Sequence, residues 1–183
     1  MVIIVHSAET GKSIAANIGA KDYSYYFVLA RYRKVLSRFT TVIEIRYPET
    51  EVDVIYNKCR SRGEDCIFLS FTPPFKTRTD LDCPTISVFA WEYGTIPVDE
   101  WGGEPRNDWR SVFRKHGCTI THSSFAVRTL REAMGADFPA WSIPAPVWDE
   151  YTKHYIKGKK ASEPGGFDLN FQGNLIDFMG YNI

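Results

Sequence analysis

The chain has 183 residues, 44% hydrophobic and 15% aromatic, with 22 Lys and Arg against 22 Asp and Glu. A domain of that length buries roughly 70% of its unfolded surface, so one sizeable core is expected. The even charge balance argues against a dedicated nucleic-acid binder, which needs an excess of Lys and Arg on one face.

Residues 2–5 are a short β-branched apolar run that suits a buried strand and leads into a polar loop at His6. That run is too short for a membrane span and lacks the basic start of a signal peptide, so a cytoplasmic chain is expected. From about Asp22 the period changes: Tyr25, Val28, Leu29, Tyr32, Val35, Leu36 and Phe39 share one face of a helix, with Arg31, Arg33, Lys34 and Arg38 on its wet side. Residues 41–45 alternate as a strand. Thr50-x-x-Asp53 has the form of a capping box, and Gly63 supplies a stop, which predicts a helix over 51–62.

Residues 66–71 follow as a buried strand broken by Pro73 and Pro74, and Pro84 opens another over 85–91. Residues 94–106, with three glycines and two prolines, read as a long loop, and loops of that length inside a domain are more often functional than accidental. A helix capped by Asn107 or Asp108 runs to Gly117, a strand covers 118–122, and Ser123 or Ser124 caps a helix ending at Gly135. A last short strand spans 140–143. Strand and helix alternate about five times, the pattern of βαβ units around a mostly parallel sheet. The fold class is therefore α/β, a Rossmann-like three-layer sandwich whose ligands bind beyond the carboxyl ends of the strands. Residues 1–149 are assigned to this domain and 150–183 to a linker and an aromatic, Gly- and Asn-rich tail.

Cys59, Cys66, Cys83 and Cys118 form no C-x-x-C pair and read as core thiols, so no metal site is expected. Gly11-Lys12-Ser13 ends like a phosphate-binding loop. The glycine needed five residues before Gly11 is His6, and no Asp-terminated strand follows to hold Mg²⁺, so a divergent P-loop-like nucleotide binder stays a minor alternative. No G-x-G-x-x-G follows any strand, which argues against a dinucleotide cofactor.

The polar residues at strand ends carry more. His6, Ser70, Thr72, Glu92, His122 and Ser123 would gather on one edge of a parallel sheet, where a carboxylate and two imidazoles could hold or deprotonate a hydroxyl. Each has a plainer reading: Ser123 as a helix cap, and His122 as a core histidine. Trp91, Tyr93, Trp101 and Trp109 surround the long loop, and aromatic faces beside Glu92, Arg106 and Asp108 suit stacking on sugar rings. The basic face of Arg31, Arg33, Lys34 and Arg38 is either a solvated surface or a patch for an anionic membrane.

Taken together, Phe89-Ala-Trp-Glu-Tyr-Gly-Thr-Ile-Pro97, Pro105-Arg-Asn-Asp-Trp109, Gly117-Cys-Thr-Ile-Thr-His-Ser123, Met134-Gly-Ala-Asp-Phe-Pro139 and Ile143-Pro-Ala-Pro-Val147 resemble the N-terminal half of a GT-B glycosyltransferase of the group 1, family 4-like kind. The resemblance implies an acceptor-side domain that works with a separate donor-binding domain, the latter holding a nucleotide-sugar donor. It implies that Glu92, His6 and His122 act at the reacting hydroxyl, and that Trp91, Tyr93, Thr72, Arg106 and Ser123 bind a saccharide or glycolipid acceptor. No cofactor is expected in the chain itself. A stand-alone Rossmann-like module for a small ligand is the alternative.

Overall fold

The computed structural model describes residues 1–19 and 22–152. Six strands, β1 (Val2–Ser7), β2 (Thr41–Glu44), β3 (Cys66–Phe71), β4 (Thr85–Phe89), β5 (Thr119–Thr121) and β6 (Ala140–Ser142), form one all-parallel sheet in the order β2-β1-β3-β4-β5-β6. The helices are α1 (Ser24–Leu36), α2 (Pro48–Arg60), α3 (Trp109–His116) and α4 (Ser124–Met134). This is a Rossmann-like α/β architecture whose chain reverses direction across the sheet between β1 and β3, the point where open sheets leave a crevice.

Right-handed crossovers decide which helix covers which face. The step from β1 to β2 runs opposite to all later steps, so α1 lies on the face opposite α2, α3 and α4. Its Leu29 and Tyr32 pack on Ile3, Val5, Leu69, Phe71 and Val88. On the other face, Val52 and Cys59 of α2 pack on Val2, Ile4 and Phe68. Phe113 of α3 and Leu130 of α4 pack on Phe89 and Ala140 of that same face. The alternation of Val2 and Ile4 with Ile3 and Val5 is the two-residue period of a strand covered on both sides.

Cys59, Cys66 and Cys83 meet under α2, where burial pushes the Cys66 thiol up to about 11 and raises that of Cys83 as well.

Several boundaries differ from expectation. The α2 helix starts at Pro48, not at residue 51, because proline at the first position is already bent to the helical φ and gives up no hydrogen bond there. Thr50 is therefore inside the first turn and is not the cap; the Glu51 carboxylate instead accepts from the backbone N–H of Tyr47 at 2.6 Å and of Arg46 at 3.2 Å. Asp53, the other half of the expected box, accepts from the N–H groups of Asp82 and Cys83 at 3.1 Å each. The β4 strand stops at Phe89, two residues short, where its pairing with the three-residue β5 ends at Thr121. The caps behave as expected: Asp108 accepts from Arg110 N–H at 2.9 Å, and Ser123 accepts from Ala126 N–H at 3.1 Å.

A compact unit spans residues 1–146. A second unit begins at Val147; within it residues 148–152 are helical, and the Thr152 hydroxyl donates to the Trp148 carbonyl at 2.8 Å. The expected flexible linker at 157–166 and the aromatic tail at 167–183 lie outside the described residues. Among the described residues no helix is long and apolar enough to cross a membrane.

Candidate functional site

After β4 the chain leaves the sheet and folds along α3 and α4. Trp91 turns back onto Trp109, ring centroids 4.5 Å apart, and its indole N–H donates to the Thr95 carbonyl at 2.8 Å. Trp109 N–H donates to the Pro97 carbonyl at 3.0 Å, and the Arg110 guanidinium donates to the Val98 carbonyl at 2.9 Å. Further on, Gly102 and Gly103 both take positive φ, 71° and 72°, a turn that a Cβ would strain. Asn107 then donates its amide to the Trp101 carbonyl at 2.6 Å. The long loop is thus held by hydrogen bonds at several points and by Ile96, which is buried in the core cluster with Phe89, Trp109 and Phe113.

Between this loop and α4 lies a cavity of about 700 Å³. It is lined by Trp91, Tyr93, Asp99, Thr129 and Glu132, together with residues 94–98 and Ala133. Tyr93 is 60% exposed, and its ring stands 4.9 Å from that of Trp91 at an angle of 58°. The buried Thr129 hydroxyl donates to the Tyr93 carbonyl at 3.5 Å, while two aromatic rings and two carboxylates line one concave surface. Its lining among the described residues contains no Lys, Arg or His.

The strand-end residues are distributed differently from the single constellation expected. His6 pairs in register with Ser70, and by alternation both face the α2 side, where His6 Nδ1 donates to the Ile45 carbonyl at 3.3 Å. Burial lowers the His6 pKa against the pull of Glu49, Glu51 and Glu44. His122 lies on the opposite face, its ring 6.0 Å from that of Tyr32, and its Nδ1 donates to the Ile143 carbonyl at 3.0 Å. Its Nε2 is buried and has no protein partner among the described residues. The sheet thus separates the two imidazoles.

Thr72 is buried in a hydroxyl network with Ser70 at 2.9 Å and Thr77 at 3.1 Å. Ser123 is spent on capping, and Arg106 is exposed, 3.9 Å from Glu104. Glu92 is exposed between the two lining aromatics. Trp91 and Tyr93 alone among the expected residues line the cavity. On α1, Arg33 is paired with Glu44, and Arg31 and Arg38 are also engaged.

Two places compete for a ligand: the crest above β1 and β3, where the chain reverses, and the cavity after β4. At the crest the polar groups are already satisfied by one another. Ser7 donates to the Glu9 carbonyl at 2.6 Å, and the Glu9 carboxylate accepts from Ser13 at 2.6 Å and from Asn17 at 2.9 Å. That carboxylate occupies the hydroxyl a phosphate-binding loop would offer to Mg²⁺, which removes support from a nucleotide site at Lys12 and Ser13. In the cavity the carboxylates and the Tyr93 ring remain unspent, so the cavity is the better site.

Sequence reasoning missed three groups. Asp99 sat unremarked in the long loop, and Glu132 and Thr129 in the helix after β5. Tyr25, read only as helix core, has its hydroxyl close to Ala90 N–H and to Glu92, and burial pushes its pKa well above the ordinary range. A further feature resembles a nucleophile and base. His116 Nε2 donates to the Arg78 carbonyl at 3.0 Å, which leaves Nδ1 to accept from Ser87 Oγ at 3.0 Å. Ser87 is fully buried, so no substrate reaches it, and the pair is structural.

No family model, curated protein or solved structure matches this chain.

Proposed function

We propose that the chain is the acceptor-side domain of a GT-B glycosyltransferase and that the cavity after β4 holds a saccharide acceptor. The observation that carries this reading is the character of the cavity, with aromatic rings and carboxylates but no cation in its lining among the described residues. Sugar rings present C–H faces to aromatic rings and hydroxyls to carboxylates. A nucleotide diphosphate needs Lys, Arg, a metal or backbone N–H groups, and two carboxylates repel it. The donor therefore belongs to a further domain, and this chain supplies positioning of the acceptor.

In this reading Tyr93 and Trp91 form the platform and the lining carboxylates Asp99 and Glu132 orient the acceptor hydroxyls, while Glu92, expected in that role, lies outside the lining. Transfer would form a bond from the acceptor oxygen to the anomeric carbon as the nucleotide diphosphate leaves and the hydroxyl proton passes to a base. His6 and His122 are less suited to that role, because they lie on opposite faces of the sheet.

Calorimetric titration of the chain with neutral oligosaccharides and with nucleotide sugars tests this. Weak saccharide binding that Tyr93→Ala reduces tenfold or more, with no turnover of a nucleotide sugar, is expected. Tight binding or turnover of a nucleotide sugar by the chain alone would overturn it, and tight binding of an unrelated small ligand would favour a stand-alone module.

A further inference from the structure

We infer that the cavity after β4 selects a ligand bearing a positively charged amino group, an amino sugar within the acceptor class. This rests on the saccharide reading and narrows it.

Both carboxylates in the lining, Asp99 and Glu132, lack an ion-pair partner among the described residues. The nearest cations make their hydrogen bonds and ring contacts elsewhere, although the Arg110 guanidinium still acts electrostatically on Asp99. Arg110 holds Asp108 through contacts of 2.9, 3.2 and 2.9 Å and gives its remaining reach to the Val98 carbonyl at 2.9 Å. On α4, Arg131 donates to the carbonyls of Phe138 at 3.3 Å and Ala140 at 3.2 Å, while Arg128 lies over the Phe125 ring, 5.4 Å from its centroid.

The loop itself is acidic: Glu92, Asp99, Glu100, Glu104 and Asp108 outnumber Arg106, with Asp108 paired to Arg110 and Glu104 3.9 Å from Arg106. The Asp99 and Glu132 carboxylates line the same cavity as the exposed Tyr93 ring. The Trp91 indole N–H is already spent on Thr95, so that residue offers a ligand its π-face and not a donor. A carboxylate pair beside aromatic faces favours an ammonium, by charge-assisted hydrogen bonds and by attraction to the rings. A neutral sugar of the same shape offers the carboxylates hydroxyl donors but no ammonium, so it lacks the ion pair and the attraction to the rings.

The test is a calorimetric titration of the full chain, at low salt and below the pKa of the amine, with a chito-oligosaccharide of one length in two forms, free-amine and N-acetylated. Choline serves as a cation without a sugar. Binding of the free-amine form at least tenfold tighter than the N-acetylated form, reduced to near parity in Asp99→Asn/Glu132→Gln and weakened by added salt, is the expected result. Equal affinities, or tighter binding of the N-acetylated form, overturn the inference and leave the saccharide reading standing. Choline binding as tightly as the free-amine oligosaccharide overturns the saccharide reading and leaves the cation preference standing. No binding of any of the three overturns both. Both substituted side chains lie on the protein surface, and an unchanged unfolding midpoint of the double variant shows that lost selectivity is not lost folding.

Discussion

Asp108 joins the cavity loop to the helix behind it, and its removal offers a graded test of how that loop is held. Its carboxylate accepts from the Arg110 backbone N–H at 2.9 Å as the cap of α3, and also from the Arg110 guanidinium, which in turn holds the Val98 carbonyl. Losing an N-cap costs about 1 kcal/mol, and up to about 2 where the cap is as enclosed as this one, which is 7% exposed. The ion pair adds less, because the guanidinium is open to solvent.

Asp108→Ala should therefore lower stability by about 1–2 kcal/mol. With a slope of about 2 kcal/mol per molar urea, the unfolding midpoint falls by roughly 0.5–1 M. Asp108→Asn keeps the cap and loses the charge, so it should cost less than half as much. Amide exchange at residues 96–99 should quicken in the alanine variant, since Arg110 is no longer oriented toward Val98. Equal losses for the two variants would refute the assignment of the main effect to the cap, and an alanine variant as stable as the parent would refute the cap altogether.

Three other outcomes are expected. His116 is buried and hydrogen-bonded as the neutral ring, with its pKa held below the ordinary 6.5 by burial. The unfolded chain then binds more protons between the two values, so this stabilising contribution is complete above 6.5 and lost as pH falls through the folded value. His116→Gln should flatten, though not abolish, the loss of stability measured by urea titration from pH 8 to pH 5, because His6 is depressed in the same direction; an unchanged slope would count against it. Gly117 closes α3 at φ 73° with open space around the position a Cβ would take, so Gly117→Ala should cost roughly 1 kcal/mol from backbone strain alone, visible as a lower thermal midpoint. Leu130 is fully buried against Phe113 and Phe89, and Leu130→Ala should cost about 2–5 kcal/mol in chemical unfolding; a loss under 1 kcal/mol would mean the cluster on that face is loosely packed.

The elements were largely legible in the sequence because the signals that set them are local. The spacing of Leu29, Tyr32 and Leu36 marks one helix, Gly117 and Gly135 mark two ends, and the apolar runs at β1 and β3 mark strands buried on both faces. Where a local signal competed with another, the stronger constraint won: Pro48 set the start of α2, and the Thr50 motif that looked like its cap was absorbed into the first turn.

The site was only partly legible. The aromatic pair was found because Trp91 and Tyr93 flank a carboxylate directly after a strand. Asp99 and Glu132 were not, because they are 33 positions apart and meet only through the packing of the loop against α4.

By itself, the sequence determines that this chain alternates strand and helix, closes its helices with particular caps, and buries a sheet on both faces, since period and capping act within a few residues. Tertiary structure decides the rest: that α1 lies on the face opposite α2, α3 and α4, that the sheet parts His6 from His122, and that two carboxylates without an ion-pair partner among the described residues share a cavity with Tyr93. Those relations depend on crossover handedness, strand register and long-range packing, and no local pattern of residues encodes them.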